Sequence, residues 1–275
     1  MVDGALAFRT SYHGAHFSGS QSQKNKNGVQ DYLEAALKTL WRQKVRVNFT
    51  SRTDAGVHAR DQVFFLRAGQ KQMEDMAEPM QRRFLYALNS LVPAKMAVWE
   101  LGVLKKDFNP KEHVLWKEYR YKLFVSATRD PLMDEQSWWI KRPLQEDRLR
   151  EALAAFEGEH DFRYLAKSRS IQQLSSTRRR ILSVECLRRR HLYLNSASYF
   201  EIRIKGEGFL HQMVRRMVGF AVDFASGEDL SVLEILNPNK RTDLGRNSYS
   251  VAPAQALCLH RTSIEKNWYS PILNP

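Results

Sequence analysis

Residues 51–58 read SRTDAGVH, with an aspartate two positions after an arginine and four before a histidine. Two apolar, strand-like runs bracket the segment, VRVNF (45–49) and QVFFL (62–66). Asp54 stands directly before Ala55 and Gly56, small residues that let a ligand or a second backbone come close. Arg52 can hold a carboxylate ionised or reach a phosphate. The chemistry on offer is that of an ionised carboxylate beside a cation, held between strands more firmly than on a long loop. An Asx-type turn, in which Asp54 bonds only its own backbone, is the plainer alternative. The residues themselves leave both open.

Two further groups carry polar chemistry in apolar surroundings. In GFLHQMVRRMVGF (208–220), placing residues at 100° intervals puts Phe209, Met213, Met217, Phe220 and, beyond it, Phe224 on one face. His211, Arg215 and Gly219 line another. Arg215 projects beside a glycine that permits close approach, although an arginine shielding apolar area with its stem would look the same. Tyr119 opens the strand-like run YRYKLFV (119–125), where a tyrosine usually only packs. His13 and His16 form a close pair in a glycine-containing turn, and two ligands without a third rarely hold zinc. Cys186 and Cys258 are too few for a disulfide framework, so a reduced, cytoplasmic setting is expected.

Charge narrows the partner. Lys and Arg number 43 against 30 Asp and Glu, a net charge of +13, and the excess is clumped at 24–26, 82–83, 167–169, 178–180 and 188–190. Arginine clusters on a chain with 43% apolar residues suggest a phosphate backbone as partner, with a solvated basic face as the alternative. Six tryptophans leave room for stacking on bases. No stretch approaches the roughly 18 to 20 apolar residues of a membrane span, and the start lacks the pattern of a secretory signal.

The elements that must position these groups follow from periodicity. ALAFRTSY (5–12) predicts a strand, and Val29, Tyr32, Leu33, Ala36, Leu37 and Leu40 predict one face of a helix. The two runs around the Asp54 loop are strands. A helix with Met80, Phe84, Leu85 and Leu88 inward starts at Pro79, and MAVWELGV (96–103) is a strand. The order is β-α-β-β-α-β. The second half repeats it: strand 119–125, a long excursion, a helix with Leu149, Leu153 and Phe156 ending at Gly158, strands at 181–187 and 199–205, a helix from Phe209 to about Ala225, and a strand in ALCLHRTSI (256–264). Residues 227–248 read as a short helix and a loop. The expected fold is α+β, two ferredoxin-like, RRM-like halves whose antiparallel sheets meet around a basic central cleft. Their expected bounds are 1–107, carrying the Asp54 loop, and 108–275, carrying Tyr119 and Arg215.

SRTDAGVHA (51–59), KEYRYKLF (117–124) and FLHQMVRRMVG (209–219) together resemble, in order and spacing, the motifs of the tRNA pseudouridine synthase A family. YHGAHFSGSQSQ (12–23), LNSLVPAKMAV (88–98), GEHDF (158–162) and APAQALCL (252–259) extend the likeness over nearly the whole chain. The resemblance implies that Asp54 is a catalytic nucleophile. It implies that Tyr119 packs on the target uracil and can accept a proton, that Arg215 pairs with the aspartate, and that Arg52 helps take the base out of its stack. It also implies a homodimer acting on tRNA, in the anticodon stem-loop at positions 38 to 40.

The chain departs from the family pattern at three places. Ser20 stands where the family usually has a tryptophan, Lys95 where an aspartate is usual, and Asn109-Pro110-Lys111 where an arginine-containing stretch is common. These leave the target nucleotide less certain than the reaction. Two other functions stay open at this level: an RNA-binding protein without turnover, and the same isomerase acting at a different RNA site.

Overall fold

The computed structural model describes residues 4–76, 79–167, 171, 172, 174–190, 197–237 and 249–273. In chain order the first elements are β1 (Gly4–Tyr12), α1 (Val29–Trp41), β2 (Asn48–Phe49), β3 (His58–Arg67), α2 (Gln70–Glu74), α3 (Met80–Leu91), β4 (Met96–Lys105) and α4 (Pro110–His113). There follow β5 (Val114–Val125), β6 (Trp138–Ile140), α5 (Glu146–Ala154), β7 (Gly158–Asp161), β8 (Arg178–Arg190) and β9 (Ser198–Gly206). The last are α6 (Met213–Ala225), α7 (Val232–Ile235), β10 (Leu257–Ile264) and β11 (Tyr269–Leu273). Most of the loop expected after α7 lies outside the described residues, as do residues 168 and 169 of the fourth basic cluster.

Two compact units result, residues 1–115 with 259–275 and residues 116–258. The division thus differs from an expected break at 107: the boundary lies later, and the end of the chain returns to the first unit. In that unit the strands run in the order β11-β4-β1-β3-β10, with β2 on β3. β1 is antiparallel to β3 and β4, with Phe8 opposite Phe64 on one side and Leu101 on the other. Strand alternation therefore sends Leu6, Phe8 and Phe64 to one face. The helices bury their own stripes, Leu33, Ala36 and Leu37 of α1 and Phe84, Leu85 and Leu88 of α3, and Trp41 stacks on Phe84 at 5.3 Å.

The opposite face is closed by the returning C-terminal segment. Ala5, Ala7, Val63, Leu104, Val114 and Ile264 form a cluster on which Phe65, Phe108, Trp268 and Tyr269 pack. Gly102 lets the Tyr269 ring lie directly on the strand, since a Cβ there would come within 2.4 Å of it. On the same face Arg9 binds Asp61 at 2.6 Å and Glu100 at 3.0 Å, with the Tyr269 ring 5.0 Å from its guanidinium. Thr262 donates its backbone N–H to the Asp61 carboxylate and its hydroxyl to the Asp61 carbonyl, both at 2.9 Å. Burial opposes the charge on Arg9, but Asp61, Tyr269 and Glu100 outweigh it and raise its pKa. Removing one partner of such a pair strands the other charge. Asp61→Ala is therefore expected to cost about 3 kcal/mol, read as a lowered urea midpoint. Replacing both partners, as in Arg9→Met with Asp61→Leu, should cost less.

The second unit pairs β5, β9, β8 and β7 in that order, all antiparallel, with β6 parallel to β5. Tyr119, Tyr121 and Leu123 stand opposite Ile204, Ile202 and Phe200 on the covered face. The other face alternates charges, with Arg120 on Glu118 and Arg203 on Glu201, each at 2.7 Å. That alternation is the pattern of an antiparallel sheet packed on one side only. The core continues through Leu149 and Leu153 of α5, Phe156 and Phe162, and Met217, Phe220 and Ala221 of α6.

Candidate active site

Asp54 occupies the loop between β2 and β3 and is partly exposed, while Arg52 is exposed and the intervening Thr53 is buried. The loop is pinned by the segment after β1. Thr53 donates its N–H to Ser20 Oγ at 2.9 Å, Ser20 returns a backbone bond to the Thr53 carbonyl at 3.2 Å, and the Tyr12 and Thr53 hydroxyls bond at 2.7 Å. Val57 N–H closes the turn onto the Asp54 carbonyl at 3.1 Å, and Gly56 adopts the left-handed φ of 82° that the turn requires. Gly14 and Gly19 allow the close approach: a Cβ on Gly19 would lie 2.7 Å from the Thr53 carbonyl oxygen, and one on Gly14 only 2.2 Å from that of Val57. Gly14 N–H also donates to His58 Nδ1 at 3.0 Å.

Ser20 is buried and anchors the loop that carries Asp54. The Lys95 backbone carbonyl accepts the His13 N–H at 2.9 Å, and Asn109 caps α4 by accepting the Lys111 N–H at 3.1 Å.

Tyr119 and Arg215 belong to the second unit. Tyr119 is buried in β5 with its ring edge-to-face on Phe209, centroids 5.0 Å apart. Arg215 is partly exposed on the first turn of α6, which starts at Met213 rather than Phe209 because Gln212 takes a left-handed φ of 63°. Arg215 Nε donates to the Ala252 carbonyl at 2.7 Å, and Ala252 N–H returns to the Arg215 carbonyl at 3.1 Å. One turn on, a Cβ at Gly219 would come within 1.8 Å of the Ser250 carbonyl oxygen. One turn further, the buried Asp223 accepts from Ser250 N–H at 2.5 Å and Ser250 Oγ at 3.2 Å. Arg215, Gly219 and Asp223 thus form one stripe of α6 that clasps residues 250–252. The sequence reading found the first two; Asp223 continues the same i, i+4 spacing and could have been found from it. Tyr121 joins the clasp by donating to the Pro253 carbonyl at 2.9 Å, and burial raises its pKa against the opposing charge of Arg215.

Lys117 shares the Tyr119 face of β5, opposite Gly206, and burial lowers its pKa to about 8. A lysine whose folded pKa lies below its unfolded value weakens the fold while protonated, and the penalty fades as pH rises from the folded towards the unfolded pKa. Lys117→Met is therefore expected to stabilise the protein at pH 7 by on the order of 1–3 kcal/mol and to gain little near pH 10.5. Urea unfolding at the two pH values measures both.

The family model described as tRNA pseudouridine synthase matches residues 9–89 and 152–263. The chain is 35% identical to the tRNA pseudouridine synthase A of Geobacter sp. (strain M21), over 90% of its own length and 94% of that protein's. It is 35% identical to that of Aquifex aeolicus (strain VF5), over 92% and 96%, and 30% identical to that of Staphylococcus aureus (strain MRSA252), over 93% and 90%. Likeness of this extent, with the Asp54 loop and all of α6 inside the matched segments, places the chain in the tRNA pseudouridine synthase family of isomerases.

Proposed function

We propose that the protein converts uridine to pseudouridine in tRNA with Asp54 as nucleophile, and that its target lies in the anticodon stem-loop. The reaction breaks the N1–C1′ glycosidic bond, turns the uracil and joins C5 to C1′; C5 loses a proton and N1 carries one at the end. It is an isomerisation with no net redox change. A carboxylate that adds transiently to the sugar or base divides it into two easier steps. Arg215 pairs with the carboxylate and keeps it anionic as RNA displaces water. Tyr119 packs on the uracil and can take up the proton, and Arg52 helps replace the stacking that the extruded base loses. In the same reading the enzyme works as a homodimer without a cofactor. Its halves are ferredoxin-like, which the β4-β1-β3-β2 order of the first unit supports.

The observation that carries the proposal is the construction of the Asp54 loop. Two glycines, a buried serine and a tyrosine hydroxyl fix its backbone, yet the aspartate itself stays partly exposed. A turn with no task beyond reversing the chain needs none of this. The test is to incubate the protein with tRNA tritiated at uridine C5, count tritium released to water, and map the modified position. Release with modification in the anticodon stem-loop is expected. Binding without release would leave an RNA-binding protein, and modification elsewhere would reassign the target.

A further inference from the structure

Arg46 and Arg67 line two adjoining open depressions of the first unit, of about 470 and 510 Å³. Lys44 lines the first and Lys106 the second, whose wall also includes Phe65 and Phe108. The two rings meet edge-to-face at 5.2 Å and belong to the aromatic layer over the Ala5–Leu104 cluster, so the floor is rigid and apolar while the rim is cationic. All four cations are exposed. Arg46 approaches Glu34 at 3.7 Å but keeps its side chain 66% exposed, and Asp107 is the carboxylate on the rim. Arginines beside aromatic rings suit a nucleic-acid strand, with phosphates on the cations and a ribose or an unpaired base on the rings.

The position matters as much as the chemistry. Arg67 ends β3, and the Asp54 loop precedes its other end. Asn48, in the wall of the second depression, lies six residues before Asp54, so at about 3.3 Å per residue the depressions lie about 20 Å from the aspartate. They are too far away to touch the nucleotide that reacts.

We propose that this cationic, aromatic-floored surface is a remote docking site for the phosphate backbone of the substrate tRNA, engaging nucleotides well away from the uridine being isomerised. The inference rests on the tRNA reading above. Contacts made equally before and during the reaction strengthen binding without speeding the chemical step. Each phosphate neutralised adds about 0.9 to the salt dependence of log affinity.

The test compares the wild-type protein with Arg46→Ala/Arg67→Ala on two RNAs: a full-length tRNA, and a short stem-loop carrying the same uridine but too small to span both places. The double variant is expected to bind full-length tRNA about tenfold more weakly at low salt, with the salt slope lower by about two. Its affinity for the stem-loop and its kcat on either RNA should stay at the wild-type values. Arg46→Lys/Arg67→Lys, which keeps the charge, should recover most of the loss. Unchanged affinity for full-length tRNA, or an equal loss on both RNAs, overturns the remote site. A wild-type protein that binds tRNA but releases no tritium overturns the isomerase reading alone, because the affinity comparison still decides the docking site. Wild-type protein that binds neither RNA overturns both.

Discussion

Asp54→Asn is expected to reduce tritium release from C5-labelled tRNA by about 10⁴-fold or more, the scale on which loss of a covalent nucleophile acts. The change exchanges one oxygen for an NH₂ of nearly the same size. The bonds that hold the loop, from Thr53 to Ser20, from Tyr12 to Thr53 and from Val57 to the backbone carbonyl of residue 54, do not involve the replaced atom. The fold should therefore survive, and tRNA affinity should stay within a few-fold, since distributed phosphate contacts dominate binding. A collapse of kcat with affinity and urea midpoint intact is the signature of lost chemistry. Release that persists in the variant would remove Asp54 from the nucleophile's role.

Arg215→Ala should lower kcat by about 10²- to 10³-fold, the usual consequence of removing one positioned charge-stabilising donor. Affinity for tRNA should remain within about tenfold of the wild-type value. The same side chain holds the Ala252 carbonyl at 2.7 Å, so a structural share of the effect, about 1 kcal/mol for one hydrogen bond, has to be separated out. Urea unfolding isolates that share. Arg215→Lys restores the charge but loses the planar guanidinium whose Nε holds the Ala252 carbonyl, so it should rescue activity only in part. A collapse of affinity with kcat preserved would reassign Arg215 to docking.

Ser20 and Asn109 each use a side-chain oxygen to hold a backbone N–H, in the Asp54 loop and at the start of α4, whereas Lys95 contributes only its backbone carbonyl to the His13 N–H. Ser20→Ala would unlatch the Thr53 N–H and is expected to loosen the loop that carries Asp54.

Local pattern in the sequence determined a great deal. Apolar residues three and four apart placed α1, α3 and α6, because that period records which side of a helix is buried, and strand-like apolar runs placed β1, β4 and β9. The loop bearing Asp54, the strand bearing Tyr119 and the helix bearing Arg215 could be named from residue types and spacing, and with them the family. Tertiary structure alone decided what such patterns do not encode. The tail returns as β11, whose YSPIL has no alternation to announce it, to cover Gly102 and Ala7. Arg9, Asp61 and Glu100 meet only through the register of three strands distant in sequence. Ser20 reaches Thr53 because two glycines let two backbones touch, and Arg46 and Lys106 gather around one depression because a sheet brings its strand ends together. Helix and strand periods are set by neighbours within a few residues, whereas register, close backbone approach and charge convergence are set by packing across the fold.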